Sequence, residues 1–419
     1  MERKKVAVEE LDIGMYVAEL DRPWLGTPFL FQGFPITTID ELERLRNLCE
    51  FVYIDIALSR NVPHKNTAPN PEHAHRFETK KINVSPEEHK KGYKNSVQLD
   101  IAMPEAIELH RDAGHYLNSI FKDIRLGQIA DTEGARDIAN RMVDNLIKNE
   151  NALVLLTQLK HKDKYTELHS INVCIISVLF GSYLGLKESE LRNLGLGALL
   201  HDIGKMRIPA EILNKPDKLN HDEKTIMNTH PEMGFEMLSQ KENVPPIALE
   251  IAHFHHERID GLGYPYGLSG EDIKRDVLIV ALADVYDATT SDRAYHSGIS
   301  PHEALKRMYD QASNHFPHTL LEKFISCLGI FPIGSIVELD SGEVGVVITT
   351  NRKHRLLPIL NLVLDRKKHP LSVPQLLNME LFTQWKQPHK IQKILSSHSY
   401  GIDVRKMLTQ ETLTMPDSL

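Results

Sequence analysis

The spacing of hydrophobic residues changes its period several times along the chain. Val6 to Leu20 has the partial alternation of strand sequence, and Phe29 to Phe31 predicts a second strand. Thr38 with Glu41 forms a capping box ahead of Leu42, Leu45 and Cys49 at helical spacing, before Phe51 to Ile54 returns to strand-like sequence. Residues 1–60 therefore predict a small α+β module. Residues 61–96 carry Pro, Asn, His and Lys with little periodicity and read as a linker, in which His64, His73, His75 and His89 are solvated. The period from Leu99 to Leu328 is helical. Residues 97–130 read as a connecting helix and 131–330 as a helical domain, with Ile138, Met142, Val143, Leu146 and Ile147 on one stripe. Ser300-Pro301-His302-Glu303 opens a late helix with an N-cap, a first-turn proline and a capping-box glutamate. Period two resumes after Pro332. Ile336, Leu339, Val344, Val346 and Ile348 flank Asp340-Ser341-Gly342 as a hairpin, and Ile359 to Leu364 adds a strand. This makes 331–387 a small β extension and leaves 388–419 as a tail with no firm pattern. The expected fold class is mainly α: a helical bundle, preceded by the α+β module and followed by a β-hairpin or meander.

Composition narrows the function. The 419 residues, 41% hydrophobic and 25% charged, suffice for more than one folded unit with a real core. Forty-nine Lys and Arg against 57 Asp and Glu give a net charge of −8, which argues against DNA or other broad nucleic-acid binding and requires a local basic pocket for any anionic ligand. No apolar stretch follows MERKKVAVEE, and the longest, near Val173 to Leu186, is too short for a bilayer, so no membrane partner and a cytoplasmic location are expected. Cys49, Cys174 and Cys327 are too few and too scattered for a disulfide framework and form no zinc motif.

Histidine, with 22 copies, supplies the candidate chemistry. His169 shares a helical stripe with Val173, Ile176 and Phe180, which alone would mean an ordinary core histidine. His201-Asp202 follows the apolar run Leu194 to Leu200; alone it would be a local hydrogen-bonded pair. His230 precedes Pro231 at the mouth of a predicted helix, where a capping role is the plainer reading. His253, His255, His256 and Glu257 precede the loop Asp260-Gly261-Leu262-Gly263-Tyr264-Pro265. Asp284 ends the apolar segment from Val277; its plainer reading is a carboxylate bonded to backbone, with Asp287 and Asp292 as surface or capping acids. Together, five separated segments supply imidazole or carboxylate and no thiolate, which favours a hard-to-borderline divalent metal. Seven ligands exceed one tetrahedral zinc site, whereas two ions sharing a carboxylate would use them and suit phosphoester hydrolysis.

The ordered series Tyr165-Thr166-x-x-His169-Ser170, His201-Asp202-Ile203-Gly204-Lys205, His230-Pro231, His255-His256-Glu257-x-x-Asp260-Gly261-x-Gly263-Tyr264-Pro265 and Ala283-Asp284-x-Tyr286-Asp287-Ala288-x-Thr290-Ser291-x-Arg293-x-Tyr295 resembles the HD-GYP family of bacterial cyclic-dinucleotide phosphodiesterases. The resemblance covers about residues 130 to 340, and the start of the chain is more loosely similar to the small domain often found ahead of such modules. It implies an HD-type helical bundle in which His169, His201, Asp202 and Asp284 hold one ion. Asp202 would bridge to a second ion held by His230, His255 and His256, with iron or manganese as the metal. Lys205 would contact phosphate and, with Asp202, serve catalysis. Arg293 would make a second phosphate contact, a salt bridge being its alternative, and His296 stands where the family often has a basic residue. Tyr264 would line the cleft or meet a partner protein, against the alternative of a purely structural turn. Glu257 and Asp260 would orient the histidines or shape the loop, and His253, outside the pattern, would lie behind the ligands or at the surface. Where some members carry a third-ion glutamate, this chain has Tyr165. Glu167 is only two residues from His169 and faces elsewhere on a helix, so a binuclear site is expected.

The implied activity is hydrolysis of cyclic di-GMP or 3'3'-cyclic GMP-AMP to the linear dinucleotide and onward to GMP. Residues 1–60 would then be a regulatory or dimerisation module, with a homodimer or a signalling protein as partner. One alternative is a catalytically weak cyclic-dinucleotide sensor. Another is a general HD-type nucleotide phosphohydrolase, which the Gly-Tyr-Pro loop disfavours.

Overall fold

The computed structural model of the chain describes residues 3–22, 27, 29, 31, 33–59, 97–128, 131–158, 165–291, 298–311, 314–351, 354, 356–381, 389–396 and 399–404. The expected linker 61–96 with its four histidines, the expected phosphate contact Arg293, and Asp292, Tyr295 and His296 lie outside the described residues. The chain divides into two units, Met1–Glu88 and His89–Leu419.

In the first unit, β1 (Arg3–Ala7), β2 (Tyr16–Leu20), β3 (Phe34–Pro35), α1 (Ile39–Leu48) and β4 (Phe51–Asp55) form an antiparallel sheet of order β1-β4-β2-β3 with one helix. The capping box holds: Glu41 N donates to Thr38 Oγ1 at 3.2 Å, and Thr38 N donates to Glu41 Oε2 at 3.0 Å. Two strand expectations are corrected. The segment Val6 to Leu20 is interrupted by a 3-10 turn at Val8–Glu10, and Phe29 and Phe31 lie outside any strand. Both phenylalanines are buried, and Phe29 stacks on Phe34 at 4.7 Å between ring centroids, so inward aromatic anchors two residues apart imitate a strand period outside any strand.

The second unit opens with α2 (Leu99–Arg125), α3 (Thr132–Lys148), α4 (Glu150–Leu156), α5 (Tyr165–Tyr183) and α6 (Glu188–Leu200). A 3-10 turn at Ile203–Arg207 follows, then α7 (Ala210–Leu213), α8 (His221–Met227), α9 (His230–Ser239), α10 (Pro246–Phe254), α11 (Arg275–Thr290), α12 (Pro301–Gln311) and α13 (His318–Leu328). Helix α5 is apolar around most of its circumference, and such a helix is stable only when enclosed. It packs against α2, α3, α4, α6, α11 and α13, so α2 belongs to the helical body and is not a free connector. Close approach needs small residues: a Cβ on Gly197 of α6 would fall 3.0 Å from Ala248 Cα, which is how α10 lies directly against α6.

The chain then forms β5 (Ile336–Leu339), β6 (Val344–Thr349), β7 (Ile359–Leu364), β8 (Pro370–Asn378) and β9 (Ile391–Leu395), an antiparallel sheet of order β8-β7-β6-β5-β9. The tail thus contributes a strand that its sequence hides. Ile391-Gln392-Lys393-Ile394-Leu395 does not alternate strictly, yet Leu395 pairs with Ile336 and covers the cluster of Ile336, Val344, Val346, Val363 and Leu364.

Candidate metal centre

Four helix ends and one helix face converge. His169 lies near the start of α5, and Asp284 and Asp287 lie on α11, which packs along α5. His201 caps the C-terminus of α6 and Asp202 follows it. His230 starts α9, and His255 and His256 follow the end of α10. The C-termini of α6 and α10 bring partial negative charge to the site and the N-termini of α5 and α9 partial positive charge, so the side chains decide its sign.

Asp202 is the centre of this arrangement and is 1% exposed. Its Oδ2 lies 3.3 Å from His201 Nε2 and 3.6 Å from His169 Nε2, while its Oδ1 lies 3.3 Å from His230 Nε2 and 3.7 Å from His255 Nε2. The two oxygens thus serve two histidine groups. His169, His201 and Asp202 form one cluster with ligand atoms within 4.8 Å of one another; Asp202, His230, His255 and His256 form the other. Asp284 reaches both sides, its Oδ1 at 3.1 Å from His169 Nε2 and its Oδ2 at 3.9 Å from His256 Nδ1. All seven expected ligands are brought together. Glu167 is in neither cluster.

The far nitrogens of the rings fix which nitrogen faces inward. Nδ1 of His201 bonds Ala198 O at 2.7 Å, Nδ1 of His230 bonds Met227 O at 2.7 Å, and Nδ1 of His255 lies 3.1 Å from both Ile251 O and Ala252 O. A carbonyl only accepts, so each Nδ1 donates a proton and each ring turns its Nε2 toward Asp202. His201 Nε2 and Asp202 Oδ1 are buried without a hydrogen-bond partner, a costly state for polar atoms that a coordinated cation would relieve. The donor set and these two unpartnered atoms fit divalent metal.

The electrostatics agree. Burial raises the Asp202 carboxyl, but His201 and Lys205 outweigh it and hold the group well below the usual carboxylate range. Burial likewise raises Asp284, and the hydrogen bond and charge of His169 bring it well below normal. Burial pushes His255 down to about 4 and His256 well below its ordinary value. Burial also disfavours charge on His169, but the carboxylates of Asp284 and Asp287 outweigh that and raise it to about 9, so an ion held by its Nε2 must displace a proton. Ionised carboxylates, with His255 and His256 kept neutral by burial, are protonation states that metal binding requires.

The remaining expected residues divide. Lys205 Nζ bonds Asp202 Oδ2 and stays 22% exposed, at the edge of the centre. The Tyr264 ring stacks on His256 at 4.6 Å between centroids. Glu257 and Asp260 both bond backbone of the loop. Glu257, 2% exposed, accepts Tyr266 N at 2.7 Å and Leu268 N at 2.9 Å, and Asp260 accepts Leu262 N at 3.1 Å. His253 is buried between Phe235 and Phe254, at 4.3 and 4.4 Å between centroids, and is not at the surface. Asp287, read as a surface or capping acid, is instead 1% exposed and bonds His169 Nδ1 at 2.8 Å. Its position one helical turn after Asp284 was the available signal.

Residues 3–135 match a domain of unknown function, DUF3391, and residues 141–320 match the HD domain. The chain is 35% identical over 371 residues to the cyclic di-GMP phosphodiesterase PA4108 of Pseudomonas aeruginosa, covering 88% of this chain and 87% of that relative. It is 40% identical over 163 residues to the cyclic di-GMP phosphodiesterase response regulator RpfG of Xanthomonas campestris, 39% of this chain and 43% of that one. It is 37% identical over 186 residues to the 3'3'-cGAMP-specific phosphodiesterase 2 of Vibrio cholerae, 44% of this chain and 35% of that one.

Proposed function

The chain belongs to the HD-GYP family, and from that premise we propose that it is a metal-dependent phosphodiesterase that opens cyclic di-GMP or 3'3'-cyclic GMP-AMP to the linear dinucleotide and carries the product on to mononucleotides, GMP among them. The observation that carries this reading is the division of Asp202, whose two oxygens face two histidine groups across one carboxylate. His169, His201, Asp202 and Asp284 would hold one ion, and Asp202, His230, His255 and His256 the other. Iron or manganese suits imidazole and carboxylate ligands without thiolate. When bound, such ions supply Lewis acidity at the phosphoryl oxygens and activate water.

The chain's own residues supply position and charge. Asp202 sets the spacing of the two halves. Lys205, tethered three residues on and partly exposed, neutralises charge that develops on phosphate and steadies the leaving oxygen. Tyr264, stacked on His256, closes one wall of the centre, and Arg293 is assigned a second phosphate contact from its place in the motif. The first unit is assigned a regulatory or dimerising role through a second copy or a signalling protein, in the cytoplasm.

Protein prepared without oxygen, supplied with Mn²⁺ or Fe²⁺ and incubated with each dinucleotide, is expected to give linear product by chromatography, and Asp202→Ala none. Intact dinucleotide with every metal overturns the proposal, and binding without cleavage assigns the chain as a sensor.

A further inference from the structure

His201, His230 and His255 orient themselves with carbonyls from the last turn of a helix, three or four residues back in the chain. Those carbonyls are available because the last four of a helix have no partner within it. His169 has no such resource. It lies five residues into α5, where the carbonyls one turn back belong to the helix ladder. Its Nδ1 is met by a side chain 118 residues away, the Oδ2 of Asp287 at 2.8 Å.

That carboxylate is itself fixed. Asn172, three residues after His169 on the same helix, donates Nδ2–H to Asp287 Oδ1 at 3.0 Å, and Ser291 Oγ donates to Oδ2 at 3.2 Å. Three side-chain donors therefore reach one buried carboxylate, and Asp284, one turn earlier on α11, meets the Nε2 of the same imidazole at 3.1 Å. A carboxylate behind an imidazole does two things that a backbone carbonyl does less well: it holds the tautomer, and its charge makes the facing nitrogen a stronger donor.

We propose that Asp287 is the positioning residue of the His169 half of the centre, fixing that imidazole for its ion and strengthening the grip of that half alone. The proposal rests on the reading of two ion-binding halves given above. An amide at position 287 has a single acceptor oxygen for the three donors, and it removes the charge.

The test is a calorimetric titration of metal-free protein with Mn²⁺, in which the parent chain is expected to show two binding steps. Asp287→Asn is expected to weaken one step by roughly 10- to 100-fold and leave the other unchanged. With Co²⁺ as probe, the visible absorption of one ion changes and that of the other does not. Should Asp287→Asn fail to fold, Asp287→Glu keeps the charge while displacing it, and the same loss in one step is expected. An unchanged titration overturns the proposal. So does equal weakening of both steps with a lowered unfolding temperature of the metal-free protein, the mark of a merely structural role. No dinucleotide enters the titration, so a chain that shows the one-step loss yet cleaves nothing would refute the activity and keep this assignment.

Discussion

Gly204, between Asp202 and Lys205, leaves no room for a single methyl group. A Cβ there would lie 2.0 Å from His230 O, 2.5 Å from Gly234 N and 3.0 Å from Gly234 Cα. These are backbone atoms of α9, so no rotamer change relieves the clash. Restoring ordinary contact, which begins at 3.4 Å, requires the turn and α9 to separate by about 1.4 Å. Asp202 Oδ1 and His230 Nε2, now 3.3 Å apart, lie on either side of that gap. Overpacking costs about 1–3 kcal/mol of stability, and a displacement near 1 Å in a reacting constellation costs roughly 100-fold in rate. Gly204→Ala is therefore expected to lower kcat/KM for cyclic-dinucleotide cleavage about 100-fold at saturating Mn²⁺, with a modest fall in unfolding temperature. Gly114→Ala, with nothing within 4 Å of the added carbon on α2, is the contrast: up to about 1 kcal/mol more stable, with unchanged activity. Gly204→Ala at parental kcat/KM would refute the argument that this contact sets the spacing of the two halves.

Three further outcomes are expected. Glu257→Gln leaves one of the Tyr266 and Leu268 amides without an acceptor and should cost about 1–3 kcal/mol, read by urea unfolding; an unchanged midpoint contradicts the clamp. Tyr264→Phe should keep Mn²⁺ affinity, whereas Tyr264→Ala, losing a ring contact worth about 0.5–1.5 kcal/mol, should weaken it by up to roughly tenfold; equal affinities contradict the stacking role. Burial pushes His110 down to about 4, so the folded chain keeps it neutral while the unfolded chain takes up a proton near pH 6.5. Its contribution is intact above pH 6.5 and is lost as pH falls from 6.5 toward 4, up to about 3 kcal/mol, so His110→Leu should flatten the fall in stability over that window; parallel curves contradict it.

The sequence discloses the ligands more fully than it discloses what holds them. His201-Asp202 and His255-His256 are visible because charged and polar residues at the end of apolar helices are expensive without a task. Asp287 is less visible because its spacing from Asp284 marks only a shared helix face, and what that face meets depends on α11 lying along α5. For Glu257 the sequence leaves orienting the histidines and shaping the loop both open, because its partners, the backbone amides of Tyr266 and Leu268, are met only in the fold. In the sheets, period two misled at Phe29 and Phe31, which are buried outside any strand, and missed Ile391 to Leu395, whose pairing with β5 supplies an order that its own sequence lacks.

The central claim is that one carboxylate, Asp202, joins two ion-binding halves. Anomalous diffraction from Mn²⁺-loaded crystals tests it most directly. The account predicts two peaks, one among Asp202, His169, His201 and Asp284 and one among Asp202, His230, His255 and His256, with a different Asp202 oxygen toward each. A single peak, or two peaks with Asp202 turned to only one of them, would contradict it.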